Sequence, residues 1–395
     1  MRDGSRHSTR FVLKDALPRG DVTGAELAAL ADAAFLRSAQ WPHVEVAGKV
    51  VRIADLFCGS GAMTLGVWEA CRAIGHRCEV ALAVDTSDRT LATYRHNFPA
   101  AIMAHKDVCH LLDSPLGVAP SGTEHELVRE VGSVDVLVAG PPCQGHSDLN
   151  NYTRRIDPRN RLYERIARFA ELVCPKHVIV ENVPTVLHDA AKVVDTTATH
   201  LRSLGYSVDH GAVDIASLGV AQHRRRHILL ASLERQVSLG ECIASYIRPA
   251  APVASVLGDL LDIEPGSEFD KPSSISAANA KRIEYLFRFD RHDLPDSRRP
   301  KCHRLKSHTY RSVYGRMFWD RPAQTVTSGF TCMGQGRFVH PKRKRTLTPH
   351  EAARLQFLPD FFRFDGELPR TALAEMIANA VPPKLTYVVT LELLR

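Results

Sequence analysis

Five short, almost uninterrupted apolar runs, set apart by stretches of helical periodicity, leave this chain few architectures. VVRIADLF (50–57), EVALAV (79–84), VDVLVAG (134–140), HVIVE (177–181) and RHILLAS (226–232) are apolar on both faces, as strands of a buried parallel sheet must be. Between them, Leu162, Ile166, Phe169 and Val173 recur at three- and four-residue spacing, and residues 185–204 read as a helix stopped by Gly205. Alternation of this kind predicts an open, doubly wound α/β domain with a mostly parallel sheet.

The alternation occupies residues 49–231. It breaks over 232–344, where Pro249, Pro252, Pro265, Pro272, Pro295 and Pro300 punctuate a polar, basic stretch that reads as a smaller second domain. Residues 345–395 return to helical patterning, over 352–357, 373–380 and 385–394, and are expected to fold back and complete the first domain. An N-terminal extension, 1–48, holds one Ala/Leu-rich helix (25–37) before Trp41-Pro42 and carries no identifiable chemistry.

With 44% hydrophobic residues the chain is too apolar to be disordered. No apolar run approaches the roughly 18 residues of a membrane span, and the first residues lack a signal-like apolar core, so a cytoplasmic location is expected. Nine cysteines, an odd count with no CxxC pair, argue against a disulfide framework. Cys302, His303 and His308 cluster without a second ligand pair, so no metal is expected. Of the net charge of +7, residues 281–320 alone account for +6, with eleven Lys/Arg against five Asp/Glu. Further basic clusters lie at Arg154, Arg155, Arg159, Arg161, Arg165 and Arg168, and at Lys342, Arg343, Lys344 and Arg345. One such cluster is usually a solvated face; three of them favour a polyanion, with nucleic acid the natural partner.

Ligands of doubly wound sheets gather beyond the carboxyl ends of the strands, and the informative residues stand there. DLFCGSG follows the first run, with Gly59 and Gly61 permitting a tight turn into a helix whose free amides face a ligand. Asp85 ends the second run, where an acid accepts the hydroxyls of a ribose, and Asp107 follows at the next strand end, within reach of an adenine amino group. Thr64 occupies the third position of the dinucleotide fingerprint, which disfavours a nicotinamide cofactor and suits a nucleoside cofactor without pyrophosphate, such as S-adenosylmethionine. GPPCQGHS (140–147) follows the third run, and its prolines stiffen the backbone before Cys143. A lone strand-tip cysteine reads as an inert buried thiol, but HVIVENVP sets Glu181 at a neighbouring tip. QHRRR sets Arg224 and Arg226 on one side of an extended segment.

Taken in order, DLFCGSG, GPPCQ, ENV, QxRxR and NAVPP resemble the motif set of the cytosine carbon-5 DNA methyltransferases, over about 50–231 and 320–385. The resemblance implies a Rossmann-like methyltransferase domain that uses S-adenosylmethionine on duplex DNA, with a target-recognition domain over 232–344. It implies Cys143 as nucleophile at carbon 6 of a flipped cytosine, Glu181 as the acid at ring nitrogen 3, and Arg224 and Arg226 as holders of the base carbonyl and Glu181. Phe57, Gly59, Gly61, Asp85, Asp107, Pro142 and Asn379 fall on its cofactor side. Gln144, Ser147, Arg154, Arg155 and Gln222 fall on its DNA side, the loop after Cys143 resembling the segment that closes over the target.

The family's setting implies restriction protection or phage defence by an enzyme acting as a monomer on DNA, while related tRNA enzymes and a DNA-binding regulator without turnover are the alternatives. Three positions depart from the pattern. Thr86 stands where a large residue packs on adenine, His146 replaces a Phe, and Ala378 replaces the Gly before Asn379.

Overall fold

The computed structural model describes residues 23–42, 48–142, 162–263, 266–304, 312–364 and 368–395. Its described strands form one sheet, in chain order β1 (Val50–Leu56), β2 (Arg77–Asp85), β3 (Ala100–His105), β4 (Val136–Ala139), β5 (His177–Asn182), β6 (Ser207–Asp214) and β7 (Arg225–Ser232). They lie in the order β3-β2-β1-β4-β5-β7-β6. From β3 through β5 every neighbouring pair is parallel. The run at 226–232, expected to be parallel, instead runs antiparallel to both β5 and β6. A strand buried on both faces looks the same in sequence whichever way it points. The strand β6, SVDHGAVD, escapes the sequence pattern because it is a half-buried, polar edge.

Strand order reverses between β1 and β4, so the carboxyl ends of these two strands flank the crevice where doubly wound sheets bind ligands. The helices that return the chain are α1 (Gly24–Leu36), α2 (Ala62–Ala73), α3 (Asp88–Asn97), α4 (Gly122–Val131), α5 (Leu162–Val173) and α6 (Val193–Ser203). Capping boxes start two of them: Thr23 with Glu26 at α1, and Ser121 with Glu124 at α4. The helix expected over 185–204 is split, with a 3-10 turn at Pro184–His188 and Lys192 at φ +50° before α6 begins. The basic stretch holds the short helices α7 (Leu239–Ala244), α8 (Val253–Leu257) and α10 (Lys301–Arg304) around the longer α9 (Ala277–Arg288). Three more, α11 (Pro349–Leu355), α12 (Arg370–Asn379) and α13 (Pro383–Leu394), follow it.

Alternate residues of the central strands feed two cores. On one face Ile53, Val136 and Val138 meet Leu65 and Val67 of α2, Leu385 and Val389 of α13, and Phe357 and Phe361. On the other, Leu56, Leu137 and Val180 meet Ile166 and Phe169 of α5 and Leu201 of α6. A third, small core gathers Ile283, Leu286, Leu294, Val313, Tyr314, Met333 and Val339 of the basic stretch, whereas Val253, Val256, Met317 and Val326 join the first. Helix α13 lies so close on α2 that a Cβ at Gly66 would sit 2.0 Å from Thr386 Oγ1 and 2.4 Å from the Pro383 carbonyl oxygen. Only glycine permits that approach. No described helix is long and apolar enough to cross a membrane.

Candidate active site

The glycine loop is built by backbone geometry that few residues tolerate. Directly after β1, Phe57 has φ +60°, then Gly59 +52° and Gly61 +93°, all in the left-handed region. The Cys58 amide continues the ladder to the Val84 carbonyl at 3.0 Å, and Gly61 donates back to the Cys58 carbonyl at 3.0 Å before α2 begins. A Cβ at Gly61 would stand 2.8 Å from Phe98 and 3.0 Å from Tyr94, while one at Gly59 would meet nothing within 4 Å. The loop is therefore sealed behind and open in front. Cys58 itself is buried, and burial, with the Asp55 and Asp85 carboxyls nearby, pushes its thiol well above the ordinary range, which makes it inert.

Asp85, at the tip of β2, holds this loop in place. Its Oδ2 accepts from the Gly59 amide at 2.9 Å, and its Oδ1 accepts from the Ser87 amide at 2.9 Å and the Thr90 hydroxyl at 3.1 Å. Asp107 is exposed and caps the turn after β3, accepting from the Cys109 amide at 2.8 Å. Between them sequence reading missed His105, whose Nε2 donates to the Thr86 carbonyl at 3.0 Å at the paired tips of β2 and β3. An exposed histidine in an apolar strand gives no periodic signal. Phe57 and Pro142 are half-buried and Asn379 is exposed at the end of α12. An open glycine cradle, an acid at the β2 tip and a second at the β3 turn are a donor and acceptor set that fits a nucleoside cofactor.

Beneath the loop lies a buried polar chain. The Thr64 hydroxyl donates to Asp55 Oδ2 at 2.6 Å and lies 2.8 Å from the Tyr94 hydroxyl. Burial, opposed by that hydrogen bond, raises the Asp55 carboxyl to about 8. Thr64, the residue that breaks the dinucleotide fingerprint, is thus used inward.

Glu181 stands near the end of β5, almost wholly buried, with Arg226 Nε 2.6 Å from its Oε1. Burial raises its carboxyl above the usual range, and the Arg226 and Arg224 charges pull it partly back. A Cβ placed on Gly140, just past β4, would lie 3.9 Å from Glu181 Oε2 and 3.6 Å from Met63 Sδ of α2. The tip of β4 thus adjoins both the carboxyl and the helix of the glycine loop. Cys143, Gln144, His146, Ser147, Arg154 and Arg155 lie outside the described residues, as do Arg159, Arg161, His308 and the side chain of Cys302.

Two expectations change. Gln222, expected on the DNA side, is completely buried: its amide nitrogen donates to the Leu355 carbonyl at 3.0 Å and Gln356 Oε1 at 2.8 Å, and its oxygen accepts from the Val326 amide at 2.7 Å. It ties the segment before β7 to α11 and leaves no group for DNA. Gln356, which sequence reading passed over, continues the web to the Ile377 and Ala378 carbonyls, and Arg224 donates to the Ala378 carbonyl at 3.0 Å. The basic cluster around 154–168 also loses its inner members. Arg168 is buried against Glu124 at 2.6 Å and Glu171 at 2.9 Å, and Arg165 donates to the carbonyls of Leu112 and Ser114. At 342–345, Lys342, Arg343 and Lys344 are exposed, but Arg345 is held by Glu351.

Residues 51–395 match the family model described as C-5 cytosine-specific DNA methylase. The chain is 43% identical over 394 residues to the Type II methyltransferase M1.BsuMI of Bacillus subtilis strain 168, covering 100% of this chain and 91% of that one. It is 28% identical over 351 residues to the Type II methylase M.HgiDII of Herpetosiphon aurantiacus, covering 85% and 93%. Among solved structures, the S. pombe Dnmt2 methyltransferase superposes with a TM-score of 0.62 at 16% identity, over 87% of this chain and 98% of that one, a likeness of fold.

Proposed function

The chain belongs to the C-5 cytosine-specific DNA methylase family and is a DNA (cytosine-5)-methyltransferase, and from that premise we propose that it methylates a flipped-out cytosine of duplex DNA through a covalent bond to Cys143. The observation that carries this reading is Glu181, buried, paired with Arg226 and adjoining the strand tip that leads into Pro141, Pro142 and Cys143.

Carbon 5 of cytosine is a poor nucleophile. The Cys143 thiolate adds to carbon 6, its electron pair forming the sulfur–carbon bond while the ring's π electrons move toward carbon 5 and nitrogen 3. The Glu181 carboxyl, whose hold on a proton burial strengthens, donates its hydrogen bond or its proton to nitrogen 3 where that charge gathers. Arg226 fixes the carboxyl, and Arg224, anchored on the Ala378 carbonyl, adds positive potential beside it. S-adenosylmethionine, when bound at the tips of β1 and β2, supplies the electrophilic methyl group. Gly59 and Gly61 would let the backbone approach it, Asp85 and Asp107 would accept from its ribose and adenine, and Phe57, Pro142 and Asn379 would border it. Once carbon 5 carries the methyl, loss of its proton to a base returns electrons to the ring and expels the cysteine sulfur.

A cytosine inside a helix is out of reach of these groups, so the base leaves the stack at a cost of a few kcal/mol. In this reading Gln144, Ser147, Arg154 and Arg155 belong to the DNA side of the site, and the basic residues of 232–344 hold the duplex and choose the site. The Type II names of its relatives support a role beside a restriction system, and we propose that the protein acts there as a monomer on DNA.

The test is transfer of labelled methyl groups to mixed-sequence duplex DNA and to tRNA, together with trapping on an oligonucleotide containing 5-fluorocytosine. The expected result is label in DNA and a denaturant-resistant adduct that Cys143→Ser abolishes. Label in tRNA alone, or none with folded protein, overturns the reading.

A further inference from the structure

The N-terminal extension precedes the family-matched region, which starts at residue 51, yet its described residues 23–42 pack against the rest of the molecule. Leu36 at the end of α1 is 1% exposed, and its carbonyl accepts from the Asp360 amide at 3.0 Å. Phe35 stacks on Phe357 at 5.6 Å, Asp32 pairs with Arg248 and with Lys384 at 2.7 Å, and Arg37 reaches Asp259 at 3.1 Å. These contacts dock α1 and Arg37 on the basic stretch after β7 and on the C-terminal segment.

Beyond α1, Trp41 does something different. Its ring meets Trp68 of α2 edge-on at 4.9 Å, Phe98 edge-on at 5.5 Å and Phe361 at 4.6 Å. Trp68 lies on the helix that the glycine loop opens, and Phe98, 3% exposed, is the residue whose ring abuts Gly61. Phe98 leaves no room for even a methyl group on Gly61, so the loop can stand only where Phe98 lets it. The same Phe98 ring is braced edge-on by the indole. Removing the indole opens a void among Trp68, Phe98 and Phe361, and a ring free to move into it releases the loop from behind.

We propose that Trp41 is a positioning residue for the cofactor: packed on Phe98 and Trp68, it braces the Gly59–Gly61 loop from outside the family-matched region and so sets the affinity for S-adenosylmethionine. The proposal rests on the reading that this loop binds that cofactor.

The experiment compares full-length wild type with Trp41→Leu, Trp41→Phe and Arg37→Ala. Calorimetric titration with S-adenosylhomocysteine in the absence of DNA gives Kd, and amide hydrogen exchange reports the loop directly. Trp41→Leu is expected to weaken binding about three- to ten-fold, the loss of one or two aromatic contacts. The KM for S-adenosylmethionine rises in step, with kcat and the KM for DNA unchanged, and exchange at 59–61 is faster. Trp41→Phe restores most of the affinity. Arg37→Ala, which cuts a docking contact of the same extension away from Trp41, leaves Kd at the wild-type value. A folded Trp41→Leu protein with wild-type Kd and wild-type exchange at the loop overturns the proposal, as does an equal loss in Arg37→Ala. Should Trp41→Leu fail to fold, Trp41→Met, which keeps bulk but removes the ring that meets Trp68, Phe98 and Phe361, takes its place, and unchanged Kd with unchanged exchange at 59–61 in that variant overturns the proposal. If wild type itself binds no S-adenosylhomocysteine, the cofactor reading fails, and the exchange comparison still tests the brace.

Discussion

Arg226 Nε lies 2.6 Å from Glu181 Oε1, and both side chains are almost out of water. The guanidinium both aims the carboxyl and opposes the rise that burial imposes on its proton affinity. Arg226→Ala removes both effects: methyl transfer falls by about 10²-fold or more, the scale of a misplaced general acid. In the residual activity, the alkaline limb that reports Glu181 losing its proton moves to higher pH. Single-turnover rates of wild type and variant, followed over the whole pH range in which both stay folded, check this. Glu181→Gln, which cannot give up a proton, has no such limb.

The two glycines of the loop predict opposite defects. Gly61→Ala drives a methyl group to within 2.8 Å of the Phe98 ring at φ +93°, so it lowers the melting temperature and disorders the loop. Gly59→Ala meets no protein atom and bears only the left-handed strain of about 1–2 kcal/mol, so it melts near wild type. Its cost appears as a raised KM for S-adenosylmethionine, because the added methyl occupies the open side. Thermal melts paired with cofactor titrations separate the two.

Arg168 and Glu124 are buried together at 2.6 Å. Burial alone would raise the Glu124 carboxyl, but Arg168 and the Ser121 and Ser114 amides bring it to about 2 from an ordinary 4.5. The stability this supplies is present above about pH 4.5 and is lost as pH falls toward 2. Arg168→Met leaves a buried acid without its partner and destabilises by about 3–5 kcal/mol, with most of that acid dependence gone. Denaturant melts at pH 3 and pH 7 check it. At a temperature where the variant is folded, DNA affinity is unchanged, since this arginine faces inward.

Asp55 works in the other direction. With its carboxyl raised to about 8, mainly by burial, the folded protein keeps a proton that the unfolded chain releases above pH 3.8. Through this group, stability falls as pH rises from about 4 to 8 and levels off above that. Asp55→Asn keeps an acceptor for the Thr64 hydroxyl and removes the slope. Denaturation midpoints at pH 5 and pH 8 draw closer together in the variant than in wild type.

Much of the sheet was legible in the sequence because β1, β4 and β5 are largely buried on both faces and therefore apolar over most of their length. The direction of β7 was not, since burial has no polarity, and β6 was hidden by a polar edge composition. The strand-tip acids Asp85 and Glu181 could be located by counting from apolar runs. The fate of Gln222 could not: polar residues flank it in QHRRR, and only the arrival of Gln356 and Val326 from distant sequence makes the position a buried crosslink. Arg168 misled for a related reason, because its partner Glu124 is 44 residues away. Local charge density counts cations and cannot see which of them have been neutralised from afar.

The contact of Gly66 with Thr386 has a kinetic consequence. Met63, one turn before that glycine, receives a hydrogen bond from a hydroxyl 323 positions downstream. Closing so wide a loop comes late in folding, so the central strands can pair well before the far side of α2 is covered. The cover over α2 thus comes from the last helix of the chain, so a truncation that removes α13 strips support from the very helix that the glycine loop opens.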